Sequence, residues 1–144
     1  MRTFLSILLL VFLSLSCEKE YPFDVIPYIS LNHVSTNSVK QLSEPISFSI
    51  SYTDGDGDLG ENATGIKNLF LIDNRINIEY TFRIQDLVPG EGAIPIKGNL
   101  QFSIPNTFLT TQDSTEIVYY NIYVVDRAGH KSNQIIAGPI TVYK

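Results

Sequence analysis

The chain has 144 residues, 44% of them hydrophobic, and a formal net charge of −5. That length suits one domain, and the acidic balance argues against a role built on attraction to nucleic acid or anionic lipid. Cys17 is the only cysteine, so no disulfide staples the chain and no cysteine cluster can hold a metal.

The first element is a short basic start, Met1-Arg2-Thr3, followed by an apolar run from Phe4 to Leu13. A spanning helix needs about 20 apolar residues, so this run is too short to cross a bilayer. It has no polar face, which argues against a core helix. Ser14-Leu15-Ser16-Cys17 follows, and the whole stretch reads as a secretory signal ending at a lipid-attachment site. It resembles a bacterial lipoprotein signal, although Ser14 stands where such signals usually carry Leu. The resemblance implies that Cys17 carries a covalent diacylglycerol and becomes the mature N-terminus. Glu18-Lys19-Glu20 resembles the acidic export signal that sends Bacteroidota lipoproteins to the cell-surface face of the outer membrane. The expected organisation is therefore 1–16 signal peptide, 17–24 lipidated cysteine and tether, and 25–144 domain. The tether after the cysteine reaches at most about 25 Å, so the domain is expected close to its membrane.

From there the apolar pattern has period two. Ile46, Phe48, Ile50 and Tyr52 alternate with polar residues; so do Ile76, Ile78, Tyr80, Phe82 and Ile84. Leu100, Phe102 and Ile104 repeat the pattern, as do Val118, Tyr120, Ile122 and Val124, and finally Ile140 and Val142. Residues 25–34 and 67–72 read as two more strands. Alternation of this kind puts one face in a core and one in water, as in antiparallel sheets. Seven or eight short strands divided by Gly, Pro, Asn and Asp predict an all-β, antiparallel sandwich, Ig-like or fibronectin-like, with a small barrel as the alternative.

The stretch Thr53-Asp54-Gly55-Asp56-Gly57-Asp58-Leu59-Gly60-Glu61 carries the clearest site chemistry. Carboxylates at alternate positions, with glycines between, can fold tightly enough to converge on one cation. Calcium takes six to eight oxygen ligands. The loop begins like an EF-hand but has Leu59 where that loop needs Gly, and Gly65 where it needs a bidentate Glu. A calcium loop between strands remains, against the plainer reading of a solvated acidic turn. In an Ig-like sandwich the loop before the last strand lies at the same end, which would add Asp126 to Asp54, Asp56 and Asp58 as metal ligands.

The same nine residues resemble the Asp-Gly-Asp-Gly-Asp-hydrophobic-Gly signature of small, mostly uncharacterised Bacteroidota lipoproteins with Ig-like domains. Val124-Val125-Asp126-Arg127-Ala128-Gly129-His130-Lys131-Ser132-Asn133 resembles the turn before the last strand of many bacterial Ig-like domains, with His130 in place of Asn. These resemblances imply an architecture and no activity.

Other groupings carry less. Asp126, His130 and a serine do not make a credible triad, because Asp126 and His130 share one turn. Tyr119 and Tyr123 lie on one strand face and form a candidate binding face for glycan or protein, against the plainer reading of packed aromatics or a tyrosine corner. Asp113-Ser114-Thr115 matches an O-glycosylation pattern of exported Bacteroidota proteins, with Ser114 as acceptor. The expectation is a lipid-anchored, non-enzymatic domain for binding or assembly, calcium-stabilised, with a glycan or another envelope protein as partner. The alternative is a carbohydrate-binding accessory lipoprotein of a glycan-uptake system.

Overall fold

A computed structural model describes residues 22–88 and 93–144. Cys17 and the residues around it lie outside the described part. The strands in chain order are β1 (Tyr28–Val34), β2 (Ser38–Lys40), β3 (Ile46–Asp54), β4 (Leu69–Asp73), β5 (Ile78–Phe82), β6 (Ile96–Ile104), β7 (Thr115–Val124) and β8 (Ile135–Tyr143). Among the described residues there is no helix.

The strands form two sheets, of order β1-β3-β6 and β2-β8-β7-β4-β5. In Ig lettering β1, β3 and β6 take the A, B and E positions, and β4, β7 and β8 take C, F and G. The all-β sandwich expected from the alternation is therefore the fold. One pairing differs from the expectation. β2 runs parallel to β8, so the larger sheet is mixed. Three residues are too few to print a period on the sequence, which is why β2 left no signal there.

The alternating positions face each other across the two sheets. Along β3, Ile46, Phe48, Ile50 and Tyr52 point inward, and along β7 Val118, Tyr120, Ile122 and Val124 are fully buried. Register sets Phe48 opposite Phe102 within the small sheet, and their rings stack with centroids 5.4 Å apart. Phe48 also meets Tyr120 of the other sheet edge-on at 5.5 Å. Each such side chain, fully buried, is worth about 1.5–3 kcal/mol of transfer free energy.

Strand β5 is shorter than its alternation suggested. Arg75 to Asn77 belong to the turn before it, and Asn77 has a left-handed φ of 54°. At this sheet edge Ile78 stays 42% exposed.

Chain direction then fixes two ends. The β3–β4 connection, the β7–β8 connection and the segment leading into β1 all lie at one end. At the other end Arg75 is clamped by Asp73, Glu116, Thr107 and the Phe108 carbonyl. Tyr120 donates its hydroxyl to Thr107 Oγ1 at 3.1 Å, which ties β7 to the β6–β7 connection as a tyrosine corner does. Burial pushes the Tyr120 hydroxyl up to about 12.

Candidate metal centre

The inward side of β3 does not stop at Tyr52. Two residues on, the same alternation brings Asp54 to the buried side, with no solvent exposure at all. The chain then doubles back. Leu59 donates its backbone N–H to Asp54 Oδ2 at 2.8 Å and buries its own side chain completely, which closes the loop on an apolar plug. Gly57 has φ +73°, and a Cβ there would lie 2.1 Å from the Ile94 carbonyl oxygen. Only glycine allows that approach.

Within this loop Asp54, Asp56 and Asp58 each place a carboxylate oxygen within 4.8 Å of the other two. The Oδ1 atom of each is buried and has no hydrogen-bond partner. Burial pushes the Asp54 carboxyl up to about 6, with the neighbouring Asp56, Asp58 and Asp126 charges adding to it and the Leu59 N–H opposing it. Asp58 is raised in the same way, by burial first and then by Asp126 and Asp56. Three hard oxygens left without donors in a negative pocket, with Asp54 fully buried and Asp56 and Asp58 half-buried, suit a hard cation such as calcium. Nothing soft is present in the donor set.

The β7–β8 turn does reach this loop, as the sandwich topology required. Ala128 donates its N–H to Asp58 Oδ2 at 3.0 Å, and Arg127 N–H reaches the Asp58 carbonyl. Asp126, however, is not brought into the cluster of three. Its Oδ1 accepts the His130 backbone N–H at 2.7 Å and its Oδ2 pairs with His130 Nδ1 at 2.9 Å. Both its oxygens are turned to its own turn, and the group whose oxygens lie within 4.8 Å of one another holds Asp54, Asp56 and Asp58 without it. Asp126 contributes charge to the site rather than a converging oxygen.

The other candidates lie elsewhere. Tyr119 is 41% exposed on the outer face of β7. Tyr123, on the same face, stacks on Phe70 at 4.7 Å and carries Lys131 Nζ at 3.7 Å over its ring. Its ring is half-buried between these two neighbours. Ser114 is exposed just before β7, with its carbonyl accepting the Lys144 N–H. Sequence reasoning missed Asn133, which receives the Ile29 N–H at 2.7 Å and donates to the Ile29 carbonyl at 2.8 Å, joining β1 to the β7–β8 connection. A lone asparagine in a turn gives no sign of such a partner. It also missed the Arg75 clamp, whose members lie far apart in the chain.

No protein-family model, curated protein or solved structure matches this chain.

Proposed function

We propose that this chain is a lipid-anchored envelope protein whose Ig-like domain serves binding or assembly without catalysis, and that a calcium ion held by Asp54, Asp56 and Asp58 stabilises its loop end. The observation that carries the cation is the set of three buried carboxylate oxygens without a donor. Buried acidic oxygens are normally paired, because an uncompensated charge in a dry site costs several kcal/mol. A divalent ion removes that cost and the mutual repulsion together. The signal-like N-terminus supports the anchor on Cys17, and the outer membrane as its place. The acidic balance argues against a nucleic-acid partner.

The non-catalytic reading is supported by the chemistry around the site. His130 is committed to Asp126, and Ser132 Oγ donates to the Asn133 carbonyl. The depression beside the loop, between Glu61, Asn68 and Asp126, is only about 160 Å³. Small-molecule sites commonly run from about 300 Å³ upward. Calorimetric titration of the full-length chain with calcium tests the cation. Binding of one ion, lost in Asp54→Asn and Asp56→Asn, is the expected result. No heat of binding at millimolar calcium would remove calcium from the reading.

A further inference from the structure

The acidic loop does more than gather carboxylates. It is the surface on which the chain enters the domain. Gly55, between Asp54 and Asp56, donates its N–H to the Asp24 carbonyl at 2.7 Å. A Cβ at Gly55 would lie 2.3 Å from the Phe23 carbonyl oxygen and 2.7 Å from that of Asp24. Among the described residues this is the single hydrogen bond that ties Pro22–Ile26 to the rest of the domain. The other one in the segment is internal, from Ile26 N–H to Asp24 Oδ1. Firm attachment begins with β1, where Tyr28 pairs with Thr53 of β3 and Asn133 grips both backbone groups of Ile29.

The backbone atom that holds the incoming chain therefore sits between two of the three carboxylates. Those carboxylates repel one another across 4.8 Å or less when no cation lies among them. Relief falls most readily on Asp56, which stands between two glycines and whose side chain makes no hydrogen bond among the described residues. Asp58 is held by the Ala128 N–H and Leu59 plugs the far side, so the loop opens at Asp56. Opening moves Gly55, and the lead-in segment loses its one hydrogen bond and its snug seat.

We propose that the cation acts as a clamp on this segment: calcium at Asp54, Asp56 and Asp58 fixes Pro22–Ile26 against Gly55, and its removal frees the segment. The inference rests on the cation reading above and adds a consequence to it. An ion would then set how stiffly the domain stands on the chain that leads into it. By linkage the coupling runs both ways, so displacing the segment must weaken the ion.

Hydrogen exchange on the full-length chain, in calcium and in chelator, reads this directly. The amides of Gly55, which donates to Asp24, and of Ile26, which donates to the Asp24 side chain, should exchange more slowly in calcium, while the centre of β7 is unchanged. Gly55→Ala supplies a second arm. It keeps all three carboxylates and pushes the Phe23 carbonyl away. It should bind calcium more weakly, by about fivefold or more on the usual scale of such coupling, with the amides of residue 55 and Ile26 unprotected. Calcium that binds by calorimetry yet leaves those amides unchanged would overturn the clamp and leave the site standing. Calcium affinity unchanged in Gly55→Ala would also overturn it. Absence of calcium binding in the unmodified chain would overturn the site itself.

Discussion

Asp54 sits at an inward strand position that every earlier residue of the β3 alternation fills with an apolar side chain. Burial first, and then the neighbouring aspartates, push its carboxyl in the folded, cation-free chain up from 3.8 to about 6. The sign of the effect follows. The folded state holds the proton more tightly than the unfolded one, so the contribution is fully present below about pH 4. It is lost as pH rises through about 6. In chelator, urea stability should therefore fall between these two pH values, and Asp54→Asn should flatten the slope. A rise over the same window would contradict the assigned environment. Tyr120 and Tyr123 make the second test at this scale. Tyr120 is fully buried and bonded to Thr107, so Tyr120→Ala should cost about 3–5 kcal/mol. Tyr123 has its Phe70 stack, the Lys131 contact and a long, exposed hydrogen bond to Glu79 Oε2 at 3.5 Å to lose, so Tyr123→Ala should cost about 1 kcal/mol. Equal losses in urea titrations would mean that the outer face is as buried as the inner one.

The elements show which parts of the fold could be read from residues and which could not. The long strands were legible because their burial has period two over four or five turns of the pattern: β3 and β7 read correctly from Ile46 and Val118 onward. β2 was not, since three residues carry no period and its parallel partner β8 is about a hundred residues away. The acidic loop was legible as a cluster of carboxylates, and Asp54, Asp56 and Asp58 do lie together. The withdrawal of Asp126 was not, because it depends on a turn that folds His130 back onto its carboxylate. The Arg75 clamp is a contact of sequence-distant partners. Arg75 is 9% exposed and Asp73 is fully buried, so Arg75→Met leaves a buried carboxylate unpaired. That should cost about 3–5 kcal/mol by chemical denaturation. A loss under about 1 kcal/mol would show a solvated pair instead. Two glycines test the loop geometry. Both have left-handed φ, but a Cβ at Gly57 meets the Ile94 carbonyl at 2.1 Å whereas one at Gly65 meets nothing. Gly57→Ala should lower the melting temperature well beyond Gly65→Ala, and equal effects would mean that Gly57 is not pressed against residue 94.

At the scale of the whole molecule, the sandwich gathers the lead-in segment, the acidic loop and the β7–β8 turn at one end, and leaves the Arg75 clamp at the other. The anchor proposed at Cys17 would then hold the acidic-loop end toward the membrane. Cys17→Ala should release the full-length chain from membranes without changing its urea midpoint, because the lipid alone supplies membrane affinity. Retention of the cleaved variant on membranes would assign the attachment to a partner. The most direct test of the account is thermal melting of the full-length chain in millimolar calcium and in chelator. An ion that binds only the folded state stabilises it by mass action, and saturation to about a hundred times the dissociation constant gives about 2.7 kcal/mol. The account predicts a calcium-dependent rise of about 5 °C or more, reversed by chelator and absent in Asp54→Asn. Superimposable melting curves in calcium and chelator would contradict it.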